Sequence, residues 1–314
     1  MKKMRLHIYI VLGLFLIGFI VGSFMDLEIM EEVFSRNNGF GIFISTIGTI
    51  PGYGMLALLG GGFAYLGIKK YKHVAARIGL LVAAVAAFGS GLFFSGREFF
   101  GPNGYQNNFS SFAGLALGCL IALPFMAGFA VLGFYLTSKS ETKSFWLLLG
   151  ILAIAIFLAL VPGVTLLKSI FHRPRYRSIS LVNDPALEFH QWWERCKDYK
   201  DLMVRFNLLK EEFKSFPSGH AGASSVFCLT VVFLPYFYKK WEKFQIPAFY
   251  CGLAWVLLVS FTRILVGAHF LSDVSMGGIL TMIFALVANE VIIHLFEKER
   301  DPEVLDEEPV VAEE

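Results

Sequence analysis

Charge is scarce in this chain. Asp, Glu, Lys and Arg make up 17% of its 314 residues, and hydrophobic residues make up 56%. A soluble domain has about 25% charged and roughly 45–50% apolar residues. The formal net charge is only +2, which gives no footprint for nucleic acid. Paired cysteines are also missing. Cys119, Cys196, Cys228 and Cys251 show no CxxC or other paired spacing, so no disulfide framework is expected. No tandem repeat is evident. No A-x-A cleavage site follows the first apolar run, so that run reads as a retained anchor rather than a signal peptide.

What is present is apolar sequence in long runs. Eight candidate spans fall at roughly 8–24, 47–68, 78–95, 112–137, 145–167, 219–237, 247–265 and 271–294. Each approaches the ~20 residues a helix needs to cross hydrocarbon. The expected fold class is therefore all-α, a polytopic membrane helical bundle of about eight transmembrane helices. Pro51, Gly52 and Gly60-Gly61-Gly62 weaken the second span. Gly114 and Gly118 form one GxxxG pair, read as close packing within the bundle.

The few charges are segregated. Lys2, Lys3 and Arg5 precede the first span. Lys69, Lys70, Lys72 and Arg77 lie between the second and third, Lys139 and Lys143 between the fourth and fifth, and Lys239, Lys240 and Lys243 between the sixth and seventh. With eight crossings all four groups share one side, the cytoplasmic side by the positive-inside rule. Both termini are then cytoplasmic. The segments holding Asp26, Glu28, Glu31 and Glu32, then 97–111, then 168–218 face outward. The acidic tail after about Glu297 is expected to be a solvated cytoplasmic end.

Some cations escape this explanation. Lys168, Arg173 and Arg175 end the fifth span on the outer side, and Arg263 lies near the outer end of the seventh. Charge at membrane depth is costly and usually functional. Lys168 and Arg175 are seven residues apart, so on a continuous helix both side chains share one face and suit a phosphate clamp. Interfacial snorkelling is the alternative.

Two further segments carry chemistry. Phe216-Pro217-Ser218-Gly219-His220 opens the sixth span, where a helix N-terminus favours an oxyanion and His220 can exchange a proton. A plain helix cap with an interfacial His is the competing view. Thr262-Arg263 is followed by His269 and Asp273, four residues apart and so neighbours on a helix face. A carboxylate bonded to one imidazole nitrogen would free the other for attack. All three segments fall on the same, outer, side.

In this order, K-x6-R, P-S-G-H and R-x5-H-x3-D resemble the signature of the PAP2 (type 2 phosphatidic acid phosphatase) superfamily, over roughly 145–285. That family includes lipid phosphate phosphatases, undecaprenyl-pyrophosphate and phosphatidylglycerophosphate phosphatases and glucose-6-phosphatase, with vanadium haloperoxidases as relatives. The resemblance implies a six-helix core at 78–296, preceded by extra N-terminal membrane helices at 1–77 and followed by the tail at 297–314. It implies a phosphatase with no cofactor and no metal, working through a phosphohistidine. His269 would be the nucleophile, Asp273 its orienting partner and His220 the general acid. Lys168, Arg175 and Arg263 would hold the phosphoryl oxygens, with Ser218 and Gly219. The implied substrate is an amphiphilic phosphorylated lipid of the phosphatidate, phosphatidylglycerophosphate or isoprenyl pyrophosphate class, met at the outer face of a plasma (inner) membrane.

Two departures matter. Tyr176 follows Arg175 where the family usually has Pro, while Arg173-Pro174 lies two residues early, so Arg173 is the rival to Arg175. Thr262 stands where Ser is usual and keeps the hydroxyl. The loop between the first two motifs holds Phe189, Trp192, Trp193 and Tyr199, which suit an interfacial helix over the site or a simple amphipathic cap. Two other functions use the same residues: a phosphotransferase passing phosphate to a lipid or sugar hydroxyl, and a lipid or anion transporter, which needs no nucleophile.

Overall fold

A computed structural model describes residues 2–100, 112–139, 164–230 and 239–300. It is all-α, with no strand among the described residues. The helices are α1 (Lys2–Val33), α2 (Gly39–Ile47), α3 (Ile50–Tyr65), α4 (Val74–Phe100), α5 (Phe112–Lys139), α6 (Val164–Phe171), α7 (Tyr176–Val182), α8 (Tyr199–Arg205), α9 (Gly219–Thr230), α10 (Gln245–Leu265) and α11 (Leu271–Arg300).

Five helical stretches among the described residues are long and apolar enough to cross a membrane: Met4–Val33, Gly39–Lys70, Val74–Phe99, Ala113–Lys139 and Lys240–Leu265. They match the first, second, third, fourth and seventh expected spans. A shorter apolar stretch, Leu271–Phe284, covers the start of the eighth. Most of the fifth span, with Pro162-Gly163, and the end of the sixth lie outside the described residues, as do the 101–111 segment and the tail from 301.

The second span is interrupted. Asn38 caps α2, its side chain accepting from the Gly41 amide at 2.8 Å. The helix ends at Gly48 and restarts at Ile50, with Pro51 in its first turn, where a missing N–H costs nothing. The acids at 26–32 are not in a loop. α1 continues through them to Val33, because Met30 packs with Phe270, Val274 and Ile264. Gly22 permits the closest part of this contact. A Cβ there would run into the Ser272 amide, so only glycine lets α1 lie against the start of α11.

Helix ends converge at one end of the bundle. The C-terminal turns of α1, α4, α6 and α10 meet the first turns of α9 and α11, as the ion pairs and bonds described next require. Over this end sits the 172–218 segment. It has its own small core of Leu187, Cys196, Leu202 and Phe213. Trp192 stacks on Phe216 at 5.5 Å, and its indole N–H donates to Ser23 Oγ on α1 at 2.8 Å. The segment is thus a packed cap with two short α-helices and a 3-10 turn at Lys210–Phe213, rather than a single interfacial helix.

Candidate active site

The first motif is not one helix. α6 ends at Phe171 because His172 takes a left-handed conformation (φ 49°) and Pro174 follows, so the chain cannot continue helically. Lys168 lies in the last turn of α6 and donates to the Lys214 carbonyl at 2.6 Å. Arg175 lies beyond the break, at the position just before α7. The shared helix face expected from their spacing does not exist. The two cations are still brought within electrostatic reach of each other, by the turn rather than by helical period.

Arg173 and Arg175 have different surroundings. Arg173 is fully buried. It donates to Asp26 Oδ2 at 2.9 Å, Asp273 Oδ1 at 2.6 Å, Ser272 Oγ at 2.9 Å and the His190 carbonyl at 2.8 Å. Its guanidinium also lies 4.1 Å from the Phe270 ring centre. Asp26 closes the network by accepting from the Ser272 amide at 3.0 Å and from its hydroxyl. Arg175 donates to the carbonyls of Glu211 and Ala268, both at 2.9 Å. Burial, then the neighbouring Arg177, pushes Arg175 down to about 10, which still leaves it cationic at neutral pH. Arg177 in turn is paired with Glu212 at 2.5 Å. Burial opposes ionisation of Glu212, but Arg177, Arg175 and Ser178 hold its carboxyl at about 2. The cap is thereby tied to the site by charge.

The third motif starts where α10 ends. Gly267 is at φ +68°, a conformation other residues rarely adopt, and it turns the chain back so that the Ala268 and His269 amides donate to the Arg263 carbonyl at 3.0 and 3.2 Å. His269 therefore precedes α11 instead of lying on it. Its Nδ1 donates to the Ser215 carbonyl at 2.7 Å, while Asp273 Oδ2 is 3.8 Å away. A carbonyl can only accept, so Nδ1 carries the proton and Nε2 keeps its lone pair.

Asp273 is thus linked to the ring through Ser215, without the direct bond that was expected. Its Oδ2 accepts from Ser215 Oγ at 2.5 Å and from the Phe270 amide at 2.8 Å, half of a capping box at the start of α11. Ser215 itself was not singled out by sequence, because a lone serine in a polar loop carries no signal. It is fully buried and also donates its amide to the Arg173 carbonyl at 3.0 Å.

The second motif is anchored to the third. The Ser218 amide donates to the Asp273 carbonyl at 2.9 Å, and Ser218 Oγ accepts from the Ala221 amide at 3.3 Å, capping α9. Gly219 opens α9, and His220 is buried in its first turn. The rings of His220 and His269 lie 6.4 Å apart between centroids. Arg263 is 2% exposed and within electrostatic reach of His269, His220 and Lys168. Glu98, at the end of α4, is also here, 3.2 Å from His220 Nε2. Sequence reading left it among the outward-facing residues from 97 onward.

Burial, and then the cations Arg175, Lys168 and Arg263, hold His269 well below the ordinary histidine range. A lowered value keeps the ring neutral below the pH where a free histidine is half protonated.

Residues 144–297 match the family model described as PAP2 superfamily. No curated protein and no solved structure matches the chain.

Proposed function

This chain belongs to the PAP2 superfamily by its 144–297 segment, and from that premise we propose that it is an integral membrane lipid phosphate or pyrophosphate phosphatase with a phosphohistidine intermediate on His269. The observation that carries the reading is the pairing of the two imidazoles. One is neutral, with Nδ1 committed to the Ser215 carbonyl, and the other stands 6.4 Å away, a gap suited to one phosphoryl group.

His269 Nε2 attacks phosphorus while the ester P–O bond breaks, and protonated His220 gives its proton to the leaving oxygen. Water then attacks phosphorus as the P–N bond to His269 breaks, neutral His220 takes the water's proton, and phosphate leaves with both rings restored. Charge develops on the phosphoryl oxygens, and Lys168, Arg175 and Arg263 stabilise it, with the Ser218 hydroxyl and the Gly219 amide at the start of α9 as further donors. Arg175 is preferred to Arg173 as the phosphate ligand because the Arg173 donors are taken by two carboxylates.

The site at the end of an apolar bundle favours a substrate whose chain stays in lipid while its phosphate sits at the interface. The distribution of Lys and Arg in short loops supports the outer face, with both termini cytoplasmic. The test is phosphate release by the purified chain in detergent, with chelator, on a panel of phosphatidate, phosphatidylglycerophosphate and isoprenyl pyrophosphate. Release from at least one, blocked by vanadate, is expected. Release only when an acceptor alcohol is supplied would favour the phosphotransferase, and no release from any would overturn the phosphatase.

A further inference from the structure

A carboxylate buried at the end of an apolar helix needs a reason. Glu98 is 6% exposed, on α4, which lies outside the 144–297 family segment. An ion taken out of water costs several kcal/mol unless it is paired, and an ionisable group at membrane depth marks function by default. Arg97 beside it on α4, Arg263 from α10 and Tyr53 from α3 lie within electrostatic reach of Glu98. Glu98 also meets His220, Oε2 to Nε2 at 3.2 Å, with both side chains buried. The contact is too bent for a good hydrogen bond. Acid–base contacts often stay loose until substrate binds.

The charges around His220 explain the need for this partner. Arg263 faces it from α10, Arg175 from the start of α7, and His269 from the linker before α11, with Lys168 beside Arg175. A protonated imidazole would be a further cation among three. Glu98 is the carboxylate that meets it.

We propose that Glu98 is the positioning residue of His220: it accepts the Nε2–H, turns Nδ1 toward the leaving oxygen, and supplies the counter-charge that lets the ring hold the proton it must donate. The inference rests on the phosphatase reading above. Glu98 remains a carboxylate throughout. In the first step the Nδ1 proton passes to the departing alkoxide as its P–O bond breaks. In the second, Nδ1 takes a proton from the attacking water. Glu98 touches neither substrate nor water.

The test exploits leaving-group chemistry. A long-chain alkyl phosphate leaves as a strong base and needs the acid, whereas a nitrophenyl phosphate leaves as a weak base and does not. In a ping-pong reaction kcat/KM reports only steps up to the phosphohistidine. Glu98→Gln in the full chain is expected to lower kcat/KM for the alkyl ester on the order of 10²-fold, and for the aryl ester less than about 5-fold. The high-pH limb for the alkyl ester, where His220 loses its proton, is expected to move to lower pH. Glu98→Asp keeps the charge and should recover part of the loss, and it carries the comparison if Glu98→Gln does not fold. Equal loss on both esters, no loss on either, or an unmoved limb would overturn the role of Glu98 while wild-type release upheld the phosphatase. No release by the wild type from either ester would overturn both.

Discussion

Replacing His269 with alanine is expected to cut phosphate release by on the order of 10⁴-fold or more, since removing a nucleophile from a set of groups that act together loses nearly all of their joint effect. The residual rate reflects the anion cradle alone. Stability should change little by comparison. The ring bonds to the Ser215 carbonyl, and leaving a buried acceptor unmet costs about 1–3 kcal/mol. Substrate should still bind, because Lys168, Arg175 and Arg263 remain. His220→Asn is expected to behave differently. It slows both steps, and with an aryl phosphate, whose departure needs no acid, the phosphoenzyme should accumulate for want of a base to activate water. A transporter would tolerate His269→Ala, so the same variant separates that reading. Steady-state phosphate release and binding of a radiolabelled substrate check these outcomes.

The largest effect on folding is expected at Arg173, not at the cations assigned to phosphate. Arg173 and its two carboxylate partners, Asp26 and Asp273, have fully buried side chains. Removing one member of such a group leaves buried charge without compensation, at about 3–5 kcal/mol. Arg173→Ala should therefore destabilise by that amount or fail to yield monodisperse protein. Asp26→Asn should be milder, because the Ser272 amide can still donate to the side-chain oxygen and Asp273 still pairs with Arg173. Arg175→Ala should show the reverse balance. It loses hydrogen bonds to two carbonyls, so its melting point falls less, yet kcat/KM should drop on the order of 10²–10³-fold, the scale of losing one donor to a developing oxyanion. Thermal unfolding in detergent, beside initial rates, tests the ordering. If Arg175→Ala proved the less stable and Arg173→Ala the less active, the two roles would have to be exchanged.

Much of this was legible in residue order. The apolar runs announced an all-α bundle, because no other open arrangement satisfies backbone groups in lipid. The three motifs identified the family because their chemistry needs those residue types in that order. Helical period, however, misled. Spacing suggested one face for Lys168 and Arg175, although Pro174 already argued against a helix through Arg173. His269 and Asp273 were read as helical neighbours, but α11 begins after His269. The group holding the ring is the Ser215 carbonyl, and a backbone acceptor leaves no trace in side-chain identity. Asp26 and Glu98 looked like loop acids because they sit at the end of apolar runs. Their helices extend to carry them, and each meets a partner from a segment far along the chain, Arg173 or His220. A single sequence cannot register such pairing.

The N-terminal helices acquire a role from the same contacts. Asp26 on α1 braces Arg173, which braces Asp273, and Ser23 on α1 receives the cap's Trp192. Helix α1, in the region expected to be an addition to the core, packs directly against the residues of the proposed site.

The most direct measurement is capture of the intermediate. Full-length protein would be mixed briefly with a ³²P-labelled substrate, quenched in base, digested and mapped. The account predicts label on the peptide containing His269, stable to hydroxide and lost in mild acid as a phosphoramidate is, and absent from His269→Ala. Turnover with label on a different residue, or with none on the peptide of His269 even in His220→Asn with an aryl phosphate, would contradict it.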